Sequence, residues 1–271
     1  MRLLAGLLSP FWTIIKNREL IIEMSKKEIL DKYKGQPLGV LWAVVHPLVM
    51  ILIYIFLFSV VYQTRINGEA QQTLSYAAYL LSGMVPWLTI QTALNTGSAS
   101  ITVNGMLIKQ VIFPAEVLPT KMVGAAFIIE MIYIVIDLLY CFITVKSLSI
   151  VYLLLPVALL IKIVFLIGLN YMLASLNVYL RDTKDFVQVF CSIGVYLLPV
   201  IYSPDAVPAI FRKILYINPV SHIIWMFQDV LYYREILHWY SWVISVVEAL
   251  VALYVGHIVF KKLKVGFGSV L

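Results

Sequence analysis

Charged side chains are scarce in this sequence, and that scarcity excludes several common classes of protein. Only 13% of the 271 residues are charged, whereas 62% are hydrophobic. Soluble domains are about one quarter charged and about half apolar. The composition therefore excludes a soluble globular domain and indicates an integral membrane protein surrounded by membrane lipids. The net charge of +6 is explained below by the positions of the cations, so no nucleic-acid partner is expected.

Cysteine and metal-binding motifs are nearly absent. The two cysteines, Cys141 and Cys191, both lie inside apolar runs, and they provide no disulfide framework. There is no HExxH or CxxC pattern and the four histidines are scattered, so we expect no metal site. The apolar run at 3–8 is too short for a secretory signal and lacks a small-residue cleavage site after it. No cleaved signal peptide is expected.

The sequence also lacks the phosphate-binding loop GxxxxGK followed by Ser or Thr. Such a loop holds the phosphates of a bound nucleotide through its backbone N–H groups. We therefore expect that this chain is not an enzyme, binds no cofactor and does not hydrolyse ATP itself. Uphill transport would need either a partner that uses ATP or a gradient of ions.

The stretch from residue 33 to residue 62 contains the first predicted membrane-spanning segment, and later parts of the chain repeat its pattern. It begins in charged sequence, turns at Gly35 and Pro37, and then runs from 41 to 62 without a charged residue. A helix of that length, at 1.5 Å per residue, would span about 30 Å, the thickness of a bilayer's hydrocarbon core. The range 41–62 is therefore the first predicted spanning helix, with a kink expected near His46 and Pro47.

Further apolar runs predict five more spanning helices, at 74–93, 117–144, 151–178, 187–202 and 239–260. Six spans place both termini on one side of the membrane, and 14 of the 20 Lys and Arg residues then fall on that side. Because cytoplasmic segments are enriched in positive residues, both termini are predicted to be cytoplasmic. No internal repeat or low-complexity linker divides the chain, so one all-α membrane domain over 1–271 is expected.

Two other segments have helical patterns that do not fit a span. Residues 10–32 mix charged residues with apolar ones at helical spacing, which predicts an amphipathic helix on the membrane surface; an ordinary solvated helix is the alternative. Residues 203–238 contain two short amphipathic helices, 208–217 and 221–236, separated by Asn218 and Pro219. We expect these to dip back into the outer leaflet as re-entrant helices, buried in protein or lining a cavity.

Four ionisable residues fall within the predicted spans: Glu130, Asp137, Lys162 and Glu248. Ionisable groups inside a membrane are functional candidates. Asp137 and Lys162 come to similar depth when residues are counted from the outer helix ends, so a structural ion pair between them is our preferred interpretation. A proton relay, and with it an ion-coupled carrier using Glu130, Asp137 and Lys162, is the alternative.

Aromatic residues recur along several predicted spans. Tyr54, Phe58 and Tyr62 are spaced by four residues and form one stripe. The further aromatic candidates for a substrate path are Tyr76, Tyr79, Trp87, Phe186 and Phe190. Aromatic faces can stack on the C–H faces of sugar rings and tyrosine hydroxyls can bond to sugar hydroxyls. Ordinary packing against lipid and neighbouring helices explains such stripes equally well.

Four stretches, in the same order along the chain, resemble the permease subunits of ABC-type polysaccharide exporters. They are YKGQPLGVLWAVVHPL (33–48), VNGMLIKQVIFPAEVLPT (103–120), LNVYLRDTKDF (176–186) and LPVIYSPDAVPAIFRKILYINPVSHII (198–224). Together with the six-helix plan, this resemblance covers nearly the whole chain. It implies a permease of the ABC-2 type in the bacterial inner membrane, which exports a lipid-linked polysaccharide such as O-antigen, capsule or teichoic acid. A permease of the same branch for drugs or lipids would share the fold.

The resemblance also implies partners and site residues. Two copies of the chain would form the pore, and two ATPase subunits beneath them would bind ATP and Mg. The residues expected to contact the ATPase are Asn104, Leu107, Ile108, Lys109, Phe113 and Pro114, with a lesser contact at Arg181 and Asp182. The residues expected at the outer gate are Tyr202, Pro208, Asn218, Pro219 and Trp225. The aromatic residues named above would line the channel.

Overall fold

The computed structural model describes residues 2–61, 76–110, 113–146 and 149–271. Within these ranges the chain is all-helical and contains no strand, which confirms the predicted all-α class. Tyr62, the start of the predicted span 74–93, and residues 111–112 of the predicted ATPase contact lie outside the described residues.

The α-helices of the described ranges are α1 (Arg2–Lys16), α2 (Arg18–Lys32), α3 (Trp42–Ile55), α4 (Tyr76–Ser98), α5 (Ser100–Val103), α6 (Gly105–Gln110), α7 (Val117–Val145), α8 (Leu155–Tyr179), α9 (Thr183–Leu197), α10 (Ala209–Ile217), α11 (Pro219–Gln228), α12 (Trp239–Lys264) and α13 (Phe267–Val270). Short 3-10 helices at Gly39–Leu41 and Ile150–Leu154 lead into α3 and α8. Helical turns of the wider π type, Phe56–Val61 and Asp229–Tyr233, continue α3 and α11.

In the described part of the chain, four helical stretches are long and apolar enough to cross a membrane. They are Gly39–Phe58, Val117–Thr144, Ile150–Tyr179 and Trp239–Lys264. These correspond to the predicted spans 41–62, 117–144, 151–178 and 239–260, so the chain has the helices of a multi-pass membrane protein. The other two predicted spans coincide with α4 and α9.

Helix α4 is less apolar than the four candidate spans because protein surrounds it. It packs against α7, α8, α9 and α11, and 17 of its 23 residues are buried. Its buried hydroxyls are satisfied within the helix, since Ser82 Oγ donates to the Tyr79 carbonyl at 2.7 Å and Thr89 Oγ1 donates to the Val85 carbonyl at 3.2 Å. Because α4 is surrounded by protein and its buried polar groups are hydrogen-bonded, it does not need the apolar surface of a helix that faces lipid.

Helix α9 differs from the prediction of a span over 187–202. It begins four residues earlier, at Thr183, and ends at Leu197. The early end has a local cause: the residue before a proline is pushed out of the helical region, and Leu198, which precedes Pro199, is extended with φ −118° and ψ 155°. The 15 residues of α9 extend about 22 Å at 1.5 Å per residue, less than the thickness of a hydrocarbon core.

The N-terminal region forms two helices where the sequence predicts one over 10–32. α1 and α2 meet at Asn17, whose side-chain Nδ2 donates to the Thr13 carbonyl at 2.8 Å. The predicted apolar stripe remains about half exposed at Ile15 and Ile22, whereas Ser25 is buried against α7. Ser25 Oγ donates to the Lys121 carbonyl at 3.0 Å, so a polar residue makes the close contact of α2 with the bundle.

Two short helices do occur in the region 203–238, at α10 and α11. Asn218 caps the second of them, since its Oδ1 accepts from the Val220 N–H at 3.0 Å, and Pro219 occupies the first helical position. α11 and its π turn end at Tyr233, before the predicted end at 236. Arg234 follows in the left-handed conformation with φ 61°, which stops the helix there.

The most extensive helix pair in the fold is α8 with α12. The two backbones meet at Gly168 and Gly256, where a Cβ added to Gly256 would overlap the Gly168 carbonyl. Small residues at such a crossing let helix backbones approach closely, which is how helices associate in membranes without a hydrophobic driving force. The close packing at these two glycines therefore holds α12 against α8.

Candidate transport path, coupling segment and buried charges

An aromatic cluster joins the end of the first span to the start of α4 and to the outer region. The Phe58 and Tyr76 rings are 5.2 Å apart, Tyr76 and Tyr79 are 6.2 Å apart, and Tyr79 meets Tyr232 edge-on at 5.2 Å. Tyr79 Oη donates to the Tyr202 carbonyl at 3.0 Å, and Tyr76 Oη donates to the Ile201 carbonyl. Four aromatic rings from three separate parts of the sequence therefore meet in one place.

The predicted channel residues differ in how much of each ring remains open. Tyr79 and Trp87 are each 1% exposed, and the Trp87 ring occupies the space that a Cβ on Gly194 would fill. Tyr54, Phe58 and Tyr76 are half-buried, whereas Phe186 and Phe190 are exposed on α9. The buried rings of Tyr79 and Trp87 pack against the more open rings of Tyr76 and Phe190.

Tyr232 belongs to this cluster and was missed in the sequence. It follows α11 in the π turn and is 4% exposed. The only signal for Tyr232 in the sequence was that two tyrosines, Tyr232 and Tyr233, are adjacent. In the structure their rings lie 5.0 Å apart. Spacing along one helix shows which residues share a face, but it does not show which distant element comes to meet that face.

The segment predicted to contact an ATPase is formed by α5, α6 and the turn into α7. Asn104 Nδ2 donates to the Ser100 carbonyl at 2.7 Å, which holds the break between the two short helices. Leu107, Ile108 and Phe113 are half-buried and pack on the core. Among the described residues of this segment the most exposed apolar side chains are Val103 and Met106, at 77% and 73%, and each comes one residue before a predicted contact residue.

Residue Asn177 joins this coupling segment (residues 100–114) to the second loop predicted to contact the ATPase. Its Nδ2 donates to Thr102 Oγ1 at 3.2 Å, and its Oδ1 accepts from the Lys184 N–H at 3.3 Å. Arg181 and Asp182 are both exposed in that loop. The two segments therefore lie side by side at one end of the bundle, with Lys109 also exposed there.

The chain's last helices support the coupling segment from behind. Lys264 Nζ lies 2.9 Å from both carboxylate oxygens of Glu116. Tyr179 Oη donates to the Leu263 carbonyl at 2.8 Å, and the side chain of Leu271 lies against Gly105. Glu116 is the residue before α7 and Lys264 is the last residue of α12, so this pair joins the ends of two candidate spans beside the coupling segment.

One of the predicted outer-gate residues, Trp225, lies next to the network of a buried carboxylate, Asp229, that the sequence analysis did not single out. Asp229 Oδ1 lies 2.7 Å from His238 Nδ1, and its Oδ2 accepts from the His238 N–H at 3.0 Å and from Trp242 Nε1 at 3.1 Å. Trp225 is 1% exposed and stacks on the His238 ring, with centroids 5.6 Å apart. This network ties the π turn after α11 to the start of α12.

Of the other four predicted gate residues, Tyr202 and Asn218 are half-buried, and Pro208 and Pro219 are exposed. His222, which is on the same helix as Trp225, is held by contacts from both ring nitrogens. Its Nε2 lies 3.0 Å from the Tyr216 carbonyl, which can only accept, so Nε2 carries the proton and Nδ1 accepts from Ser241 Oγ at 3.1 Å. Burial lowers the pKa of His222, which keeps the ring neutral.

The predicted ion pair between Asp137 and Lys162 is wrong, because Lys162 pairs with Glu130. All three side chains are fully buried, and Lys162 Nζ also lies 4.8 Å from the centre of the Phe227 ring. Glu130 lies two helical turns before Asp137 on α7, about 10 Å away along the helix axis. Residues Ile150–Leu154 form a 3-10 helix, which rises about 2.0 Å per residue instead of 1.5 Å. This adds only about 2.5 Å to the depth of Lys162, so the change of helix type alone does not account for the different partner.

The remaining intramembrane carboxylates have no such partner. Neither carboxylate oxygen of Asp137 has a hydrogen-bond partner within the described part of the chain. Glu248 is half-buried and lines a cavity of about 330 Å³ between α8, α12 and Pro219. Among the described residues no group of three or more His, Cys, Asp or Glu side chains could hold a metal ion.

The described residues form an all-helical bundle in which four helices are long and apolar enough to cross a membrane, and this defines a multi-pass membrane protein. The sequence model of the ABC-2 type transporter family matches residues 19–232, and the chain belongs to that family. This confirms the resemblance described above. In this family the protein is the membrane subunit of a transporter and is not itself catalytic, and an ABC ATPase partner is implied.

The chain is also similar to curated proteins over most of its length. It is 28% identical over 256 residues to an O-antigen export system permease protein RfbA from Klebsiella pneumoniae, a match that covers 93% of this chain and 95% of the relative. A second Klebsiella pneumoniae RfbA is 26% identical over the same length. The O-antigen export system permease protein RfbA of Myxococcus xanthus is 28% identical over 221 residues, with 79% of this chain and 81% of the relative covered.

Proposed function

We propose that the chain is the permease of an ATP-driven exporter that moves a lipid-linked, O-antigen-like polysaccharide across the bacterial inner membrane. The observation that carries this proposal is the near full-length similarity to permeases named for O-antigen export. In the proposed assembly two copies form the pore, and two ATPase subunits beneath them bind ATP and Mg. The exported polymer leaves at the outer face of the membrane.

The proposed topology has six spans and cytoplasmic termini. α4 and α9 supply the two spans that are less apolar, and α4 tolerates polar residues because protein surrounds it. With this topology the coupling segment, the loop at Arg181 and the Lys264 end of α12 all face the cytoplasm, whereas α10 and α11 form re-entrant helices on the outer side. α1 and α2 lie at the cytoplasmic surface, where Ile15 and Ile22 meet lipid.

The proposed cycle couples ATP binding to the gate through rigid connections. Closure of the ATPase subunits pushes the coupling segment, and the Glu116–Lys264 pair passes that movement to α7 and α12. α12 begins at the Asp229 network of the outer gate. A long polymer then threads past the open aromatic rings, since weak contacts on ring faces let a chain slide.

The docking proposal predicts that Met106→Asp detaches the ATPase. Met106 is 73% exposed at the tip of the coupling segment, and placing a charge in an apolar contact should weaken binding by about 2 kcal/mol or more. The measurement is the amount of ATPase that copurifies with the tagged chain. Met106→Leu and Ile150→Asp are the controls, because Ile150 is equally exposed at the opposite end of the bundle. Full retention of the ATPase by Met106→Asp would contradict this placement.

The path proposal predicts that Tyr54→Ala combined with Phe58→Ala slows export. Each aromatic contact contributes about 0.5–1.5 kcal/mol, so losing two should slow export roughly tenfold. The measurement is the rate at which new polymer reaches the cell surface in a strain whose own permease gene is deleted. Phe142→Ala is the control, an exposed aromatic of α7 outside the proposed path. A normal rate of export with intact ATPase binding would show that these two rings do not line the path.

A further inference from the structure

A second cavity, separate from the aromatic path, lies where α2 crosses α4 and α7. Its volume is about 470 Å³, within the range of small-molecule sites. The floor is apolar and is formed by α7 residues Ala125, Ala126 and Ile129. Three charged residues of α2, namely Glu28, Asp31 and Lys32, form the rim. Their spacing of three and four residues places them on one face of the helix.

The charges on this rim are not equivalent. Glu28 is already neutralised, because its Oε2 lies 2.7 Å from the Nζ of Lys121 on α7. Asp31 and Lys32 have no ion-pair partner in the part of the chain that the structure describes, and both are exposed. The rim therefore offers the Asp31 carboxylate and the Lys32 ammonium group above an apolar floor. The Lys32 Nζ lies 5.5 Å from the centre of the Tyr33 ring, which also lines the cavity, and it remains exposed to a further ligand.

We propose that this cavity binds a zwitterionic phospholipid whose headgroup carries a primary ammonium, with phosphatidylethanolamine as the probe. The ammonium group donates to Asp31, the phosphate accepts from Lys32, and the glycerol and first acyl carbons rest on Ala125 and Ile129. A charge-neutral pair on the rim matches a charge-neutral headgroup. An anionic lipid would place its charge beside Asp31 with only Lys32 to balance it. The quaternary ammonium of phosphatidylcholine has no N–H to donate.

The test uses the full chain in nanodiscs made from equal amounts of phosphatidylethanolamine, phosphatidylglycerol and phosphatidylcholine. After extraction into mild detergent, the lipids retained per chain are counted by mass spectrometry. We expect phosphatidylethanolamine to be enriched over both other lipids. Asp31→Asn removes one charge-assisted hydrogen bond, so its enrichment should fall about tenfold. Ala125→Phe should abolish the enrichment by filling the floor.

Glu23→Gln and Lys27→Gln are the matched controls, since both residues are on α2 and neither lines the cavity. They should retain the enrichment. Because Asp31 is exposed, Asp31→Asn tests the site without threatening the fold. Enrichment of phosphatidylglycerol, retained lipids in bulk proportions, or an unchanged pattern in Asp31→Asn would each overturn the proposal. Binding is measured without ATP or polymer, so the result is independent of the proposed export function.

Discussion

Glu130→Leu will destabilise the folded chain by about 3–5 kcal/mol, the loss expected when one partner of a buried ion pair is removed. The variant leaves the ammonium group of Lys162 in an apolar interior, where its other neighbour is the Phe227 ring. Thermal unfolding of the purified chain in detergent measures the effect. The expected result is a clear loss of stability relative to the parent chain.

Two further variants show whether pairing is the cause. Glu130→Leu combined with Lys162→Leu removes both charges, and replacing a complete buried pair by apolar residues is often neutral or stabilising. Asp137→Leu removes a buried carboxylate that has no hydrogen-bond partner among the described residues, so it should be neutral or stabilising as well. Equal destabilisation by all three would contradict the pairing and indicate that volume alone matters at these positions.

Gly256→Ala is expected to have the second large effect, because a single methyl group would overlap the backbone of α8. A Cβ at residue 256 meets the Gly168 carbonyl, which cannot rotate away as a flexible side chain would. The helices must separate, and overpacking of this kind destabilises by about 1–3 kcal/mol or more. The yield of folded monodisperse protein and its unfolding temperature measure the loss.

Gly268→Ala is the matched control for the glycine crossing. It lies near the end of the same chain segment, in α13, and a Cβ there meets nothing within 4 Å. We expect wild-type yield and stability from this variant. If Gly256→Ala also behaved like the parent chain, the close approach of α8 and α12 would not exist as described.

Much of the fold was accessible from the sequence, for a simple physical reason. Long apolar runs with few charges are costly outside a membrane, so the spans now seen as α7, α8 and α12 were located to within a few residues. The bounds and surroundings of α4 and α9 were harder to predict from the sequence. The environment of α4 is protein and not lipid, and the end of α9 was set by Pro199 rather than by loss of hydrophobicity.

Contacts between helices were the part that sequence could not supply. Counting residues placed Lys162 opposite Asp137, but in the structure it pairs with Glu130, because a count along each helix does not show how two helices are tilted and packed against each other. The family resemblance indicated which segment would contact the ATPase, yet which of its residues face outward depends on packing with α13 and the core. Likewise, the hydrogen bonds of Asp229 could not be predicted from the sequence, because they depend on the fold placing His238 and Trp242 beside it.

The most direct test of the proposed function is transport by purified components in sealed vesicles. The chain is reconstituted with its lipid-linked polysaccharide on one side, with or without the ABC ATPase subunit, and polymer on the other side is measured with and without ATP. The account predicts movement only when the chain, the ATPase and ATP are all present. Movement by the chain alone, or movement driven by a proton gradient without ATPase, would contradict it.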